Sequence, residues 1–344
     1  MPDGHHNKTR TGAMTIVELA KDLSMSRATV SRAFHDHAVI NPETRAKVLT
    51  RAKELGFQPN PLARGLITRS TRIVGLVVSD ITNPFYPEVM TKLTERLQAD
   101  GFNVMLVVSS PSRSEEESVR VLLSYRTDIV VMLATTLSSA GAAACRAAGT
   151  PVLFFNRYES NNRCYAVTCD NELGGRVVAD YLIDLGHKRL GYIAGRPDAS
   201  TNVDRRSGFM SRCAERGITK VAESQGVEFS YEAGGAGARK LLSLAKRPTA
   251  IFCSNDILAL GAMGVAQREF QLKIPDDVSV VGFDDIGIAS WPSHALTTVR
   301  QPIATMIDLT ADLTLALARG TAGAPAILRL PGTLIERSTT KRFR

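Results

Sequence analysis

The segment from Arg27 to Phe34 carries side chains that could read DNA. Val30, Ala33 and Phe34 recur at helical spacing, so one face of a short helix would be buried. The remaining positions are cations, hydroxyls and small groups without a carboxylate, namely Arg27, Ala28, Thr29, Ser31, Arg32 and His35. Guanidinium groups can bond guanine edges in the major groove, and hydroxyls can bond phosphates. The pattern indicates a DNA-reading helix, although a helical bundle with incidental surface arginines would show the same spacing.

A second set of residues could bind a small polar ligand. These residues follow short apolar runs, and aromatic rings lie there beside carboxylates and guanidiniums. Rings would cover the apolar side of a ligand, and charged groups would bond its hydroxyls or acid groups. Singly, such residues are more often helix caps, turn formers or parts of the core. The candidates are Asp80, Asn83, Phe85, Tyr86, Asn156, Arg157, Asp170, Arg205, Phe229, Asn255, Asp256 and Asp284.

Three short helices would position the DNA-reading side chains. The spacing of Ile16, Leu19, Ala20 and Leu23 predicts the first helix, and Ser26 can cap the second through its hydroxyl. A third helix is predicted to start with Asn41 as cap and Pro42 at the first helical position, and to end at Gly56. A helix, a short turn and a second helix rich in donors form the arrangement of a helix-turn-helix reader.

From residue 72 onward, β-branched runs alternate with helical patterns, which predicts βαβ units with parallel sheets. The two successive series should form two doubly wound halves around a cleft, with ligand groups at the carboxyl ends of the strands. Strands are expected at 73–78, 103–108, 129–133, 151–155, 190–195, near 226–229, 250–254 and 279–283. Helices are expected after the first strand through Leu97, and near 115–125, 140–148, 172–186, 203–216, 234–244 and 256–268.

The charge of the chain is concentrated at one end. Residues 1–72 hold 12 Lys and Arg against 6 Asp and Glu, whereas the remainder of the 344 residues has a net charge of only +2. A localised positive surface favours binding to a phosphate backbone, although a solvated basic tail would have the same composition.

Cysteine usage and hydropathy predict a cytosolic protein. The five cysteines form no C-x-x-C pair, which is typical of reduced thiols. No apolar stretch is long enough to cross a bilayer, and the start lacks the apolar core of a signal peptide.

The sequence offers no assembled catalytic, cofactor or metal motif. The run Gly234 to Arg239 is glycine-rich but lacks the Lys-Ser/Thr ending of a phosphate-binding loop, and the six histidines lack metal-ligand spacing. No nucleophile, base and orienting group can be grouped by motif, so we predict neither an enzyme nor a cofactor.

Two strings, TIVELAKDLSMSRATVSRAF and NPETRAKVLTRAKELGFQPNPLARGL, resemble the DNA-binding region of the LacI/GalR family of bacterial transcription regulators. The likeness extends from residue 14 to about 337. It implies a helix-turn-helix domain at 14–59, a hinge helix with its linker at 60–71, of which 60–66 match the hinge helix, and a two-lobed periplasmic-binding-protein-like domain at 72–344. One lobe would hold about 72–170 and 302–329, and the other about 171–301 and 330–344.

The resemblance also implies roles for individual residues. Arg27, Ala28 and Arg32 match base-contacting positions, Thr29 and Ser31 match phosphate contacts, and Leu66 matches a leucine inserted into the minor groove. Ser24 stands where the family commonly has glycine, so a slightly altered turn is expected, and Gly65 should weaken the hinge helix. The matching effector contacts are Phe85, Arg205, Phe229, Asn255 and Asp284, followed by Tyr86, Arg157 and Asp170.

These features predict a ligand-responsive repressor that binds a palindromic operator as a homodimer, with a tetramer left open. The effector would be a small polar metabolite, either a sugar or an organic acid. Two other classes share the two-lobed fold or a similar one: a solute-binding protein of a transport system and a cytosolic metabolite-binding enzyme.

Overall fold

The computed structural model describes residues 14–34, 39–58, 70–79, 81–110, 112–134, 139–159 and 164–343. The chain divides into two compact units, Met1–Thr71 and Arg72–Arg344. The predicted contacts His35 and Leu66, the candidate Asp80 and nearly all of the predicted hinge helix lie outside the described residues.

The described residues of the first unit form three short helices around a small apolar core. Leu19, Val30 and Val48, one from each helix, are fully buried together, and Phe34 packs against Phe57 with ring centroids 5.4 Å apart. The helices are α1 (Ile16–Asp22), α2 (Arg27–Ala33) and α3 (Pro42–Glu54).

Side-chain caps fix the starts of these helices. The hydroxyl of Ser26 accepts from the backbone N–H of Thr29 at 3.1 Å, and Asn41 Oδ1 accepts from that of Glu43 at 2.8 Å. Between α1 and α2, Ser24 adopts the left-handed backbone conformation, with φ of 53°. The turn therefore keeps a conformation that favours glycine, at a steric cost to the serine.

The first lobe of the second unit is a six-stranded parallel sheet with the order β11-β5-β4-β3-β1-β2. Its central strands are buried on both faces because helices cover them. Its elements are β1 (Ile73–Val78), α4 (Phe85–Ala99), β2 (Asn103–Val108), α5 (Glu115–Ser124), β3 (Ile129–Leu133), α6 (Ala140–Ala147), β4 (Val152–Phe155), β5 (Tyr165–Cys169), α11 (Ile303–Ala318) and β11 (Ile327–Leu330).

The second lobe has the order β12-β10-β9-β8-β6-β7, and only the β10–β12 pair is antiparallel. The chain passes between the lobes after β5, after β10 and between β11 and β12. The elements are α7 (Asn171–Asp184), β6 (Leu190–Ile193), α8 (Ser200–Glu215), β7 (Ala222–Ser224), α9 (Tyr231–Leu242), β8 (Ala250–Cys253), α10 (Asp256–Arg268), β9 (Ser279–Asp284), β10 (Thr297–Arg300) and β12 (Thr333–Ile335).

The strand predicted near 226–229 is wrong, because the strand lies at Ala222–Ser224 instead. Val227 is 81% exposed, so the apolar run does not belong to a buried strand. The backbone at Gly226 passes so close to the end of β6 that an added Cβ would lie 1.9 Å from the Ala194 carbonyl oxygen. The segment therefore crosses the end of β6, and Phe229 is carried to the cleft rather than to the end of a strand.

The helix predicted around 234–244 begins earlier, at Tyr231, and the glycine-rich run lies inside it. A Cβ at Gly234 would stand 2.1 Å from the carbonyl oxygen of Leu258 in α10. Conversely, a Cβ at Gly261 would stand 1.9 Å from the carbonyl oxygen of Tyr231. These glycines thus allow α9 and α10 to pack closely, and they do not form a loop.

No helix in the described part of the chain is both long and apolar enough to cross a membrane. The five cysteines are buried free thiols.

Candidate functional site

A small cavity lies between the two lobes. The first lobe contributes the start of α4 and the loop after β4, and the second contributes the start of α8 and the carboxyl ends of β8 and β9. This is where a doubly wound fold is expected to bind its ligand. The lining residues are Asn83, Phe85, Tyr86, Asn156, Arg157, Thr201, Arg205, Phe229, Asn255 and Asp284.

The side chain of Arg205 is only 2% exposed, and hydrogen bonds hold its guanidinium group on several sides. Its Nε donates to Asn171 Oδ1 at 2.8 Å, its Nη1 donates to the carbonyl of Ser254 at 2.7 Å, and its Nη2 lies 3.2 Å from Asp284 Oδ1. The guanidinium carbon also stands 3.7 Å from the ring centroid of Phe283. A buried charge held in this way is ordered before any ligand arrives.

Asp284 accepts a second hydrogen bond, from Gln301 Nε2 at 2.8 Å. Burial raises the pKa of its carboxyl group above the usual value, while Arg205 and Gln301 oppose that rise. Its φ of 120° and the φ of 59° at Asp285 are in the left-handed region. Two arginines hold this turn, because Asp285 bonds Arg300 and Arg337, each at 2.6 Å.

Arg157 and Phe229 meet across the cleft. Arg157 is 3% exposed, its Nη1 donates to the carbonyl of Ala134 at 2.8 Å, and its guanidinium carbon lies 5.0 Å from the ring centroid of Phe229. Since Arg157 comes from the first lobe and Phe229 from the second, this cation–π contact joins the lobes at the cavity.

Polar atoms suited to a hydroxylated ligand also face the cavity. Asn156 donates from Nδ2 to the hydroxyl of Tyr86 at 3.2 Å, but its buried Oδ1 has no hydrogen-bond partner. A buried acceptor without a partner is costly, so a ligand hydroxyl donating there would gain energy. Asn255 accepts from the N–H of Leu258 through Oδ1, which leaves its amide nitrogen as a donor.

The structure brings together seven of the eight predicted effector residues. Asp170 lies outside the lining and caps α7 by accepting from the N–H of Leu173 at 3.0 Å. Sequence reasoning missed Thr201, Asn171 and Gln301, since their residue types are common at such positions. Among the described residues, no group of three or more His, Cys, Asp or Glu side chains could hold a metal ion.

Five of the predicted DNA-reading residues lie on α2. Arg27, Ala28 and Arg32 are exposed, and Thr29 and Ser31 are half-buried. Val30 and Ala33 fill the core behind them, so the burial pattern fixes which sides of α2 face outward.

A helix-turn-helix unit joined to a two-lobed cavity domain defines a class of protein: a ligand-binding regulator of transcription. Residues 15–60 match the family model of bacterial regulatory proteins of the lacI family, and residues 179–340 match that of the periplasmic binding protein-like domain.

Proteins that match most of the chain are also regulators of transcription. The transcriptional regulator GalR of Escherichia coli (strain K12) is 33% identical over 88% of this chain and 89% of its own length. The lac repressor dimer bound to operator and the anti-inducer ONPF is 27% identical, with a TM-score of 0.86 over 96% of this chain and 100% of that one. A complex of the regulator CelR with cellobiose is 29% identical, with a TM-score of 0.71 over 95% and 99%.

The chain belongs to the LacI family of bacterial regulatory proteins. The predicted family and fold class are confirmed, and the protein is a DNA-binding transcription regulator rather than a transport protein or an enzyme.

Proposed function

We propose that this regulator is a repressor that binds a palindromic operator as a homodimer. The exposed guanidiniums of Arg27 and Arg32 support this proposal, because they project from a capped helix that can enter the major groove. Arg27, Ala28 and Arg32 would contact bases, and Thr29 and Ser31 would contact phosphates. His35 and Leu66 remain predicted DNA contacts.

The effector would be a small metabolite rich in hydroxyls, bound between the lobes. The observation that carries this half of the proposal is the buried Arg205–Asp284 pair beside the unpartnered oxygen of Asn156. Together they offer donors and acceptors to vicinal hydroxyls. The bound cellobiose in the CelR complex supports a sugar over an organic acid. Phe85, Tyr86 and Phe229 would cover its apolar faces, and Arg157 and Asn255 would donate to its oxygens.

Ligand and operator would act on each other by linkage. An effector that prefers one relative rotation of the lobes changes the population of the geometry that binds DNA, and the coupling can have either sign. The protein would act in the cytoplasm, where its operator DNA is found.

Selection of genomic DNA fragments on the purified protein at near-physiological salt tests the DNA half. We expect enrichment of one short palindrome, whereas salt-sensitive binding without a shared sequence would contradict the proposal. Arg27→Ala should relax the preference at one position of each half-site, by about 1–3 kcal/mol. Lys53→Ala removes an exposed charge from α3 and should leave the preference unchanged.

A further inference from the structure

A second contact between the lobes lies beside the cavity. Tyr158, in the loop after β4, donates its hydroxyl to the carboxylate of Asp204 in α8, and the oxygen lies 2.9 and 2.8 Å from the two carboxylate oxygens. The backbone N–H of Tyr158 also donates to the hydroxyl of Ser200 at 3.1 Å. Tyr158 belongs to the first lobe, and Asp204 and Ser200 belong to the second.

The sequence positions of these residues tie them to the cavity. Tyr158 directly follows Arg157, and Asp204 directly precedes Arg205. Each lobe therefore presents two consecutive residues, of which one lines the cavity and the other bonds the opposite lobe. Because α8 is a regular helix, a shift of Asp204 must be accompanied by a shift of Arg205.

The surroundings of the pair favour a strong hydrogen bond. Both side chains are half-buried, and the guanidinium carbon of Arg329 lies 5.3 Å from the ring centroid of Tyr158. Burial raises the pKa of Tyr158 to about 12, with Asp204 adding to the rise, so the phenol keeps its proton and can donate. Burial also raises the pKa of Asp204, while the hydrogen bond from Tyr158 and the charge of Arg329 oppose that rise. Hydrogen bonds to charged acceptors are stronger than those between neutral groups.

We propose that Tyr158 and Asp204 form an interlobe clasp, which holds the two lobes together and keeps Arg157 placed against Phe229. They are positioning residues of the cavity and do not line it themselves. The contact between the lobes is itself independent of the proposed function. Only its consequence, a change in operator affinity when the clasp is lost, rests on that function.

Hydrogen exchange of the full-length, ligand-free protein tests the clasp, because the N–H of Tyr158 is itself bonded across the lobes. In Tyr158→Phe, peptides covering 153–159 and 199–206 should exchange at least about tenfold faster, as expected for loss of a hydrogen bond to a charged group. The matched control is Tyr165→Phe. The hydroxyl of Tyr165 donates to the carbonyl of Gly323 at 2.7 Å within the first lobe, so its loss should leave both peptides unchanged.

A double-mutant cycle makes the result specific to the pair. Asp204→Ala should accelerate the same two peptides, and the double variant should exchange no faster than the faster single variant. Urea unfolding of all variants reports global stability, so a general loss of stability is distinguished from local opening. Exchange in Tyr158→Phe equal to that in the Tyr165→Phe control, or additive effects in the double variant, would overturn the clasp. Neither result depends on whether an operator or an effector has been found.

Discussion

Asp284 combines burial, charge and an unusual backbone conformation in the wall of the cavity. Its carboxyl group holds Arg205 and accepts from Gln301, so both partners are positioned before a ligand binds. The left-handed turn that presents it is held by Asp285 and two arginines. The local strain is thus located where preorganisation would matter for binding.

Asp284→Asn should abolish ligand binding while leaving the fold intact. The amide still accepts from Gln301 and Arg205, but it loses the charge that compensates the Arg205 guanidinium and that a ligand hydroxyl would bond. In a thermal-shift screen with a panel of sugars and sugar acids, a compound that raises the Tm of the wild type should leave the Tm of this variant unchanged. An equal rise in Tm in both proteins would show that Asp284 does not contribute to ligand binding.

Sequence reasoning found the residues of the site whose types are unusual in a loop. Phe85, Arg205 and Phe229 stood out because aromatic or charged groups followed apolar runs. Thr201 and Gln301 did not, because their roles arise from long-range pairing of the chain, which spacing along the sequence does not reveal. The sequence does not distinguish the cap formed by Asp170 from a ligand contact, because helix caps and ligand contacts use the same residue types.

At the scale of elements, the turn between α1 and α2 keeps a left-handed conformation despite its serine. Ser24→Gly should raise the free energy of unfolding of the first unit by about 0.5–1 kcal/mol, because glycine removes the Cβ strain. Gly56, which follows α3, has a φ of 65° and so already has glycine in a left-handed conformation. The opposite substitution, Gly56→Ser, should therefore lower the free energy of unfolding of the unit by a similar amount. Native-state hydrogen exchange of the amides in α1 to α3 measures both. A loss of protection in Ser24→Gly would contradict this account of the turn.

The turn after α7 and the C-terminal segment share a buried histidine. His187 Nε2 donates to the carbonyl of Lys341 at 3.2 Å, so in the neutral ring Nδ1 accepts from the hydroxyl of Thr249 at 3.0 Å. Phe343 packs against the ring, with centroids 5.4 Å apart. Burial lowers the pKa of His187 below 6.5, and the bond to Lys341 only partly opposes this.

This histidine should make stability depend on pH. The folded state protonates His187 less readily than the unfolded state does. The stability contribution of His187 is therefore present above pH 6.5 and is lost as the pH falls through the lowered pKa. The free energy of unfolding should change by at most about 1.4 kcal/mol per pH unit. Burial raises the pKa of Asp256 well above the usual range and so acts in the opposite direction. The measurement is therefore a difference: between pH 7.5 and 5.5 the Tm of the wild type should fall more than that of His187→Gln. Equal changes in the two proteins would show that His187 does not contribute.

Most elements followed from periodicity because buried strands and amphipathic helices have strong apolar patterns. The helix predicted at 256–268 is found at those bounds. The strand near 226–229 was predicted because Phe229 is apolar, but this side chain lines the interlobe cavity and does not belong to a strand. The actual strand, Ala222–Ser224, is short and has no strong apolar pattern. The positions of Phe229 and of the strand Ala222–Ser224 both depend on tertiary contacts, which local sequence propensity does not describe.

At the scale of the whole molecule, the chain crosses between the lobes three times, which makes each lobe depend on distant segments. Strand β11 completes the first sheet beside β5, and β12 completes the second sheet beside β10. The alternation of strands and helices predicts two halves but does not assign these late strands to either one. That assignment came from the family resemblance, and the sheet pairing places β11 through Leu330 in the first lobe.

The central claim is that a ligand in the interlobe cavity and an operator on the DNA-reading helix are coupled. The most direct test measures operator affinity with and without a sugar that raises the Tm, and the affinity for that sugar with and without operator DNA, at one salt concentration. Linkage requires the two factors to be equal, and we expect them to lie within about 5- to 150-fold, in either direction. A sugar that binds tightly at the cavity but leaves operator affinity unchanged would contradict the account.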